Sequence, residues 1–585
     1  MNRYFRRGAI GLLAGTISSA ILAITPHIGV LGIPLGILIG IGYAFVVRPT
    51  PLSYIDSMMT AGAGGIALWG GLSILLLPFL SGRAPQWTAE GMRALFPALV
   101  GWVFYGVSIG VLVQVLNDLA RWLLGPEYQP PLPERMIQTR IVIVGGGFAG
   151  VTTAQKLERL FGADSSISLT LVSEVNALLF TPMLTEVAGG SLEPTHISSP
   201  LRTSLRRTEV VHGRVEYVDT ERKQLLLVAN ERNTQRQEIP FDQLVLAVGS
   251  ISNYLGLKGI EEHAFDFKTL GDAISIRNHL IGVLEQADSE VDSAQRQALL
   301  TVVIAGAGFA GAELAGALND FVRGTLPYYP NIVSDEVKII VVHSRDRILP
   351  ELSESLASYA LERMKARGVT FQLNERLVDA REGVVVLKSQ EEIRTNTLVW
   401  TAGVAPHPLI QDIPAEHDTR GALVVDSSLA VPNLTGIWAL GDCASVHDAK
   451  TGEACPPTAQ FAIREADTVA YNIYASVRGR RHKTFHFAGL GVLCVVGYQT
   501  ACAEIKGLRF SGFLAWLMWR GIYLSKLPGL ERQLRVLSDW VVELFFPRDI
   551  VQTIDMEHRP SQRSAETIAS STSERAMKTV GKEQR

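Results

Sequence analysis

Two G-x-G-x-x-G turns, each entered from a β-branched run, lie within a chain of 585 residues that has four apolar stretches ahead of them and aromatic segments rich in Arg behind them. Together these features predict an α/β protein with two Rossmann-like dinucleotide-binding domains, the second inserted in the first. About four helices of an all-α membrane block should precede this body, and amphipathic membrane-contact helices should follow it. The expected order is a membrane block over 1–124, a linker over 125–138, the first nucleotide domain over 139–270 and again over 399–505, and the second over 271–398. Amphipathic helices over 506–550 and a disordered tail over 551–585 complete it.

Lys+Arg total 54 against Asp+Glu 57, a net charge of −3 that gives no support for nucleic-acid binding. The mean hydropathy of +0.20 is high for a wholly soluble chain, and the excess is concentrated at the front. Cys443, Cys455, Cys494 and Cys502 have no C-x-x-C spacing and no His cluster nearby, so neither a disulfide framework nor a metal site is expected. A redox thiol pair after the first glycine turn is absent, since no cysteine precedes Cys443.

The apolar stretches are Ala9 to Ile24, Ile28 to Val47, Met59 to Leu80 and Leu95 to Leu116, the first at the short end of what crosses a bilayer. Arg3, Arg6 and Arg7 before the first stretch also fit a signal peptide or a twin-arginine start, but three more spans follow at once. An even number of spans puts the N-terminus and the body on one side. Arg3, Arg6, Arg7, Arg48 and Arg121 against Arg83 and Arg93 make that side cytoplasmic. The Pro-rich stretch GPEYQPPLPERMIQTR from Gly125 to Arg140 reads as a semi-rigid linker.

In the first βαβ unit, Ile141 to Val144 lead into Gly145, Gly147 and Gly150, a helix-like segment, and a second apolar run that ends at Glu174. Gly145 permits the tight turn, Gly147 lets a pyrophosphate approach, Gly150 lets helix and sheet close up, and Glu174 is placed for a ribose diol. The unit recurs as TVVIAGAGFAGAELAGAL from Thr301, with Gly306, Gly308 and Gly311, so two dinucleotides are expected. Late in the chain, TGIWALGDCAS from Thr435 ends a strand in Gly441-Asp442, either a simple helix cap or a carboxylate returned to the first nucleotide site.

With these blocks in order, the chain resembles a type II NADH dehydrogenase, the non-pumping NADH:quinone oxidoreductase of the two-dinucleotide-binding-domain flavoproteins. The resemblance runs from Thr139 to Ile550. It rests also on FTPMLTEVAGGSLEP from Phe180, FDQLVLAVGS from Phe241, VWTAGVAP from Val399, PPTAQ from Pro456 and the segment from Tyr523 to Ile550. The four spans lie outside the family's usual monotopic pattern. The resemblance implies FAD on Gly145, Gly147, Gly150, Glu174, Gly441 and Asp442. It puts NADH or NADPH, as exchangeable donor, on Gly306, Gly308, Gly311 and Glu313. Glu313 is open to a second reading as a solvated first-turn acid. Where the family has an acid that selects NADH, this chain has His343, followed by Arg345, which either receives a 2′-phosphate or is a surface turn residue.

The resemblance also implies a quinone site at Ala459-Gln460, with Gln460 bonding a quinone carbonyl and Glu186 relaying protons if partly buried, whereas by itself a glutamate before Val-Ala-Gly-Gly reads as a surface residue. The implied reaction is hydride transfer to the flavin followed by two electrons to a membrane quinone. The spans show no chain of ionisable groups, which disfavours pumping. Phe513, Trp516, Leu517, Trp519, Leu524, Leu534, Leu537, Trp540, Val541, Leu544 and Phe545, interleaved with Arg520, Lys526, Arg532 and Arg535, read as interfacial helices broken at Lys526-Leu527-Pro528, with ordinary amphipathic helices docked on the body as the competing reading. Partners are then a membrane quinone and the lipid bilayer, with homodimerisation open. The alternatives are another quinone-linked flavoprotein, such as a sulfide:quinone reductase, or a membrane-tethered redox sensor.

Overall fold

A computed structural model describes residues 3–25, 28–46, 54–80, 82, 89–124, 137–230 and 233–552. The expected linker, apart from its last two residues, and the tail beyond 552 lie outside the described residues, as do Arg48 and Arg83. The chain divides into two units, Met1–Arg135 and Met136–Arg585.

The first unit contains helices α1 (Arg3–Ile24), α2 (Gly32–Val46), α3 (Tyr54–Leu68) and α4 (Phe96–Leu124). Its four candidate spans are long and apolar enough to cross a membrane. Small residues let the helices meet backbone to backbone: a Cβ on Gly40 would stand 2.5 Å from Gly15 Cα, and one on Gly65 would stand 2.3 Å from Trp102 O. Leu13, Ile17, Leu38, Ile66 and Phe104 point outward, as an apolar solvent requires. The third span differs from a plain helix, because α3 widens into a π-helical stretch at Trp69–Leu76 that contains Gly70 and Gly71. Charge is not wholly excluded either. Arg6 is buried where α1 begins and α4 ends, with Nη2 donating to Asn117 O at 3.4 Å beside the buried Gln114.

In the second unit the first sheet opens with β1 (Thr139–Val144), α5 (Phe148–Phe161) and β2 (Ile167–Ser173). The short helix α6 (Leu184–Ala188), β3 (Glu209–His212) and β4 (Gln243–Leu246) follow, and the chain leaves through β5 (Ser250–Ser252). A second sheet then forms from β6 (Phe265–Asp266), α7 (Leu270–Ser289), β7 (Thr301–Ala305), α8 (Phe309–Thr325), β8 (Lys338–His343), β9 (Val369–Leu373) and β10 (Thr397–Trp400). The return is through β11 (Val404–Pro406), antiparallel to β5, to β12 (Ile437–Ala439).

The first sheet is ordered β12-β4-β1-β2-β3 and the second β6-β10-β7-β8-β9, all parallel. A strand from after the second sheet thus completes the first, which is the predicted insertion. Every residue of β7 is buried, as expected of a parallel strand covered on both faces. The second sheet is wider than 271–398: β6 lies before that span and β10 crosses its end, because a two-residue strand carries no periodicity to read.

After α9 (Ala459–Val477) come three antiparallel strands, β13 (Gly491–Gly497), β14 (Thr500–Ile505) and β15 (Leu508–Ser511). The segment from 506 is therefore not purely helical. Helices α10 (Gly512–Lys526) and α11 (Leu530–Glu543) follow, separated at Leu527 to Gly529 as Pro528 predicts. One face of this sheet meets α8, where a Cβ on Gly316 would lie 2.7 Å from Val496 C, and Ala501, Ala503 and Trp516 pack between the other face and α10.

Candidate active site

At the first turn, Gly145 adopts φ +116°, and a Cβ there would lie 2.1 Å from Ala247 O. A Cβ on Gly150 would lie 1.9 Å from Gly145 O, whereas one on Gly147 would meet nothing within 4 Å. The turn is therefore tight behind and open in front, at a helix N-terminus that no side chain caps. Glu174 stands exposed just past β2. His407 lies within its electrostatic reach, with an imidazole held below its ordinary proton affinity by burial.

The late chain closes this site. A Cβ on Gly441 would lie 3.5 Å from Ala149 Cβ and 3.8 Å from Ala462 Cβ, so the N-terminal ends of α5 and α9 converge there. Asp442 caps no helix; its Oδ2 accepts from Ser250 Oγ at 2.6 Å, and Ser250 Oγ in turn accepts from the half-buried Lys268. Glu465 of α9 is 3% exposed and takes the Gly441 N–H at 2.7 Å. Burial pushes its carboxyl up to about 7, opposed by that N–H and reinforced by Asp442.

The second turn repeats the first. Gly306 has φ +102°, a Cβ on Gly311 would lie 2.0 Å from Gly306 O, and one on Gly308 would meet nothing within 4 Å. His343, at the end of β8, accepts the Ala307 N–H on Nδ1 at 3.1 Å. Burial and then Arg345 lower its proton affinity, opposed by the Arg347 backbone, so at neutral pH it is uncharged, with Nε2 sealed from solvent. Arg345 is exposed beside it.

Two further residues, Glu313 and Gln460, are held at β13, and Glu186 lies within electrostatic reach of Glu313. Glu313 is not a solvated first-turn acid: Oε1 accepts the Val495 N–H at 3.1 Å, and burial, reinforced by Glu186, raises its pKa to about 8. Gln460 has both amide ends engaged where the same strand begins, donating to Gly491 O at 3.3 Å and accepting from Leu490 N, one residue before the strand, at 3.2 Å. Ala459 is the first residue of α9. Glu186 is 13% exposed, which excludes a surface reading, and accepts from Trp540 Nε1 at 3.2 Å. Burial raises its carboxyl to about 7 against the pull of Arg520. Edge-to-face contacts run from Phe148, beside the first turn, through Phe180 (5.7 Å) to Tyr523 (6.1 Å) and Trp519 (4.8 Å).

The C-terminal helices turn inward more than their sequence suggests. Trp516, Trp519, Trp540 and Arg520 are buried against the body, while Phe513, Leu514, Leu517, Leu534, Leu537 and Val541 form the exposed apolar face. Tryptophan and arginine serve equally in an interface and in a protein–protein seam, so composition alone misplaces them.

The pyridine nucleotide-disulphide oxidoreductase family model matches residues 139–466, more than half of the chain, and the NDH2 C-terminal domain model matches 490–549. A probable NADH dehydrogenase of Dictyostelium discoideum is 31% identical over 70% of this chain and 90% of its own length. The type II NADH:quinone oxidoreductase Ndh of Mycobacterium tuberculosis is 30% identical over 76% of this chain and 95% of its own. The chain belongs to the type II NADH dehydrogenase family. The structure of NDH2 from Plasmodium falciparum in complex with NADH shares the fold, with a TM-score of 0.66 at 19% identity over 71% of this chain and all of that one.

As a type II NADH dehydrogenase this protein is an oxidoreductase, and its family supports a flavin-type cofactor and a pyridine nucleotide. The fold brings Gly145, Gly147, Gly150, Gly441 and Asp442 together, with Ala459 at the start of the helix whose Ala462 meets Gly441. Gly306, Gly308, Gly311 and His343 form the second group, and Glu186 and Glu313 the third. Glu465 and the Ser250–Lys268 pair escaped the sequence reading. Glu465 could have been found, because it falls among Ala462, Ala466, Val469 and Ile473 on the buried face of α9; nothing local marks Lys268.

Proposed function

We propose that this chain is a membrane flavoenzyme that takes two electrons from NADH, or from NADPH, and passes them through FAD to a membrane quinone without pumping protons. The observation that carries the reading is strand β13 with the residue before it, whose backbone holds Glu313 of the second nucleotide domain at Val495 and Gln460 of the first at Leu490 and Gly491. One rigid element thus registers the donor side against the acceptor side.

The residues fit FAD: the open ground before Gly147, the two helix N-termini meeting at Gly441 and the carboxylate of Asp442 suit a pyrophosphate, a ring edge and a polyol chain. In this reading Gly145, Gly147, Gly150, Glu174, Gly441, Asp442 and Ala459 hold FAD, which supplies the two-electron carrier when bound. Gly306, Gly308, Gly311, Glu313, His343 and Arg345 receive the donor, and a neutral His343 lacks the negative charge that would repel a 2′-phosphate. Glu186 and Gln460 serve the quinone. Burial keeps a proton on Glu186 near neutral pH, where it is available to a reduced acceptor. Gln460 orients the acceptor by giving up one of its bonds to β13.

The domain order given above stands in this proposal, with the second nucleotide domain widened to include Phe265 and Trp400. The four spans anchor the protein in the cell membrane with the body on the cytoplasmic side. Within the described residues of the spans, the charged side chains Arg6, Arg7 and Asp118 lie where the first span begins and the fourth ends, and charges at one end make no path across a bilayer. Steady-state turnover of detergent-purified holoenzyme with a short-chain quinone, using NADH and then NADPH, tests the reading. Quinone-dependent oxidation of either donor is expected, and none with any quinone would end it.

A further inference from the structure

Around Glu186 the C-terminal helices build a charge cluster that the nucleotide domains do not share. Arg520 of α10 lies with its guanidinium 4.1 Å from the Trp516 ring centre and 4.6 Å from that of Trp540. Its Nη2 is 2.9 Å from Glu543 Oε2 and 3.7 Å from Glu186 Oε1. Arg548 donates to Glu543 Oε1 at 3.1 Å and to Gly189 O at 3.0 Å. Further out, Glu313 of α8 faces Glu186, and Arg277 of α7 stands beside Gly190, within electrostatic reach of Asp549 and Glu193.

Resting on the quinone-reducing reading above, we propose that Arg520 is a positioning residue that sets the proton affinity of Glu186, so that the C-terminal helix pair tunes proton delivery to the quinone. Glu543 is gripped by two guanidinium groups at hydrogen-bond distance, whereas Glu186 meets Arg520 only at 3.7 Å and has one indole N–H. Glu186 is therefore the member of the cluster that can gain and lose a proton. Its loss leaves two carboxylates against two guanidinium groups, and its gain leaves one unit of positive charge. Two flanking indoles, with the side chain only 10% exposed, prevent Arg520 from swinging away to solvent and keep its field on Glu186. Arg520 thus favours proton release, while burial and Glu543 favour retention.

The two influences have opposite signs, which makes them separable. The test uses membrane-reconstituted holoenzyme and compares wild type with Arg520→Met, Arg520→Lys and Glu543→Gln. It reads the alkaline limb of quinone reduction and, independently of turnover, infrared titration of the protonated carboxyl band that Glu186→Gln removes. Arg520→Met should move both upward by about one pH unit or more, and Arg520→Lys should move them by less than about half a unit. Glu543→Gln should move both downward. Shifts in the same direction for Arg520→Met and Glu543→Gln, or no shift in either, would overturn the proposal. If Arg520→Met fails to fold, the downward shift in Glu543→Gln decides. If quinone reduction is absent in the wild type, the functional reading fails, yet the infrared titration still judges Arg520.

Discussion

Gly145 and Gly306 hold φ of +116° and +102°, Gly150 and Gly311 would each bring a Cβ within 2.0 Å of the carbonyl oxygen of the first glycine in the turn, and Gly147 and Gly308 both face open space. In backbone terms the two turns are one device used twice. They part company in what closes over them. Asp442, Ser250, Lys268 and Glu465 converge from four distant parts of the chain on the first, while His343 and the exposed Arg345, both from the next strand end, attend the second. In the proposed reading a βαβ unit does not itself decide whether its nucleotide is resident or exchangeable; the side chains returned to it do.

The sharpest way to break this contrast is to place the same methyl group in each turn. Gly147→Ala should leave a folded protein, since its Cβ meets no protein atom, but should lower FAD retention after gel filtration by at least about tenfold. Gly308→Ala should keep FAD and instead raise the KM for NADH by roughly tenfold, each a loss of about 1.4 kcal/mol. Equal effects of both substitutions on FAD would erase the proposed division. Larger again in free energy, Asp442→Ala removes a charged acceptor from the first site and should weaken FAD binding by about 1.5–3 kcal/mol, read by fluorescence titration of apoprotein. It should leave the affinity for NADH unchanged.

A smaller effect is expected at the second site. His343→Glu restores a negative charge near the adenosine ribose and should raise the KM for NADPH by about tenfold, with the KM for NADH changing less than about threefold. If NADPH is inert in the wild type and this substitution changes neither KM, His343 does not govern the choice of donor.

A separate effect is on stability. Glu313 and Glu465 are both raised in the fold, to about 8 and about 7, so the folded state binds more protons than the unfolded chain between their ordinary range and those values. Each therefore contributes stability at acid pH that is lost as pH rises from about 4.3 towards the folded value. Thermal unfolding should show Tm falling between about pH 5 and pH 8, and Glu313→Gln should flatten that fall by a few degrees. A Tm rising over the same range would contradict the raised carboxyls.

Both turns were legible because each combines a β-branched strand, three spaced glycines and a helix within a short stretch, where local sterics dictate the sequence. The insertion was legible from Gly441-Asp442 for the same reason. What remained hidden depends on distant partners. Glu313 reads as a helix-dipole acid until β13 arrives with Val495, and Arg520 reads as an interfacial cation until Trp540 and Glu543 fold back over it. The two-residue strand Phe265–Asp266 owes its existence to pairing with Thr397–Trp400 alone.

The most direct test of the account is a double-mixing experiment on FAD-loaded protein under anaerobic conditions, first with one equivalent of NADH and then with a short-chain quinone. The flavin absorbance should fall on the first mix and return on the second. Absorbance that never falls, or that falls and returns only when oxygen is admitted, would contradict an electron path from the second glycine turn through the first to a quinone.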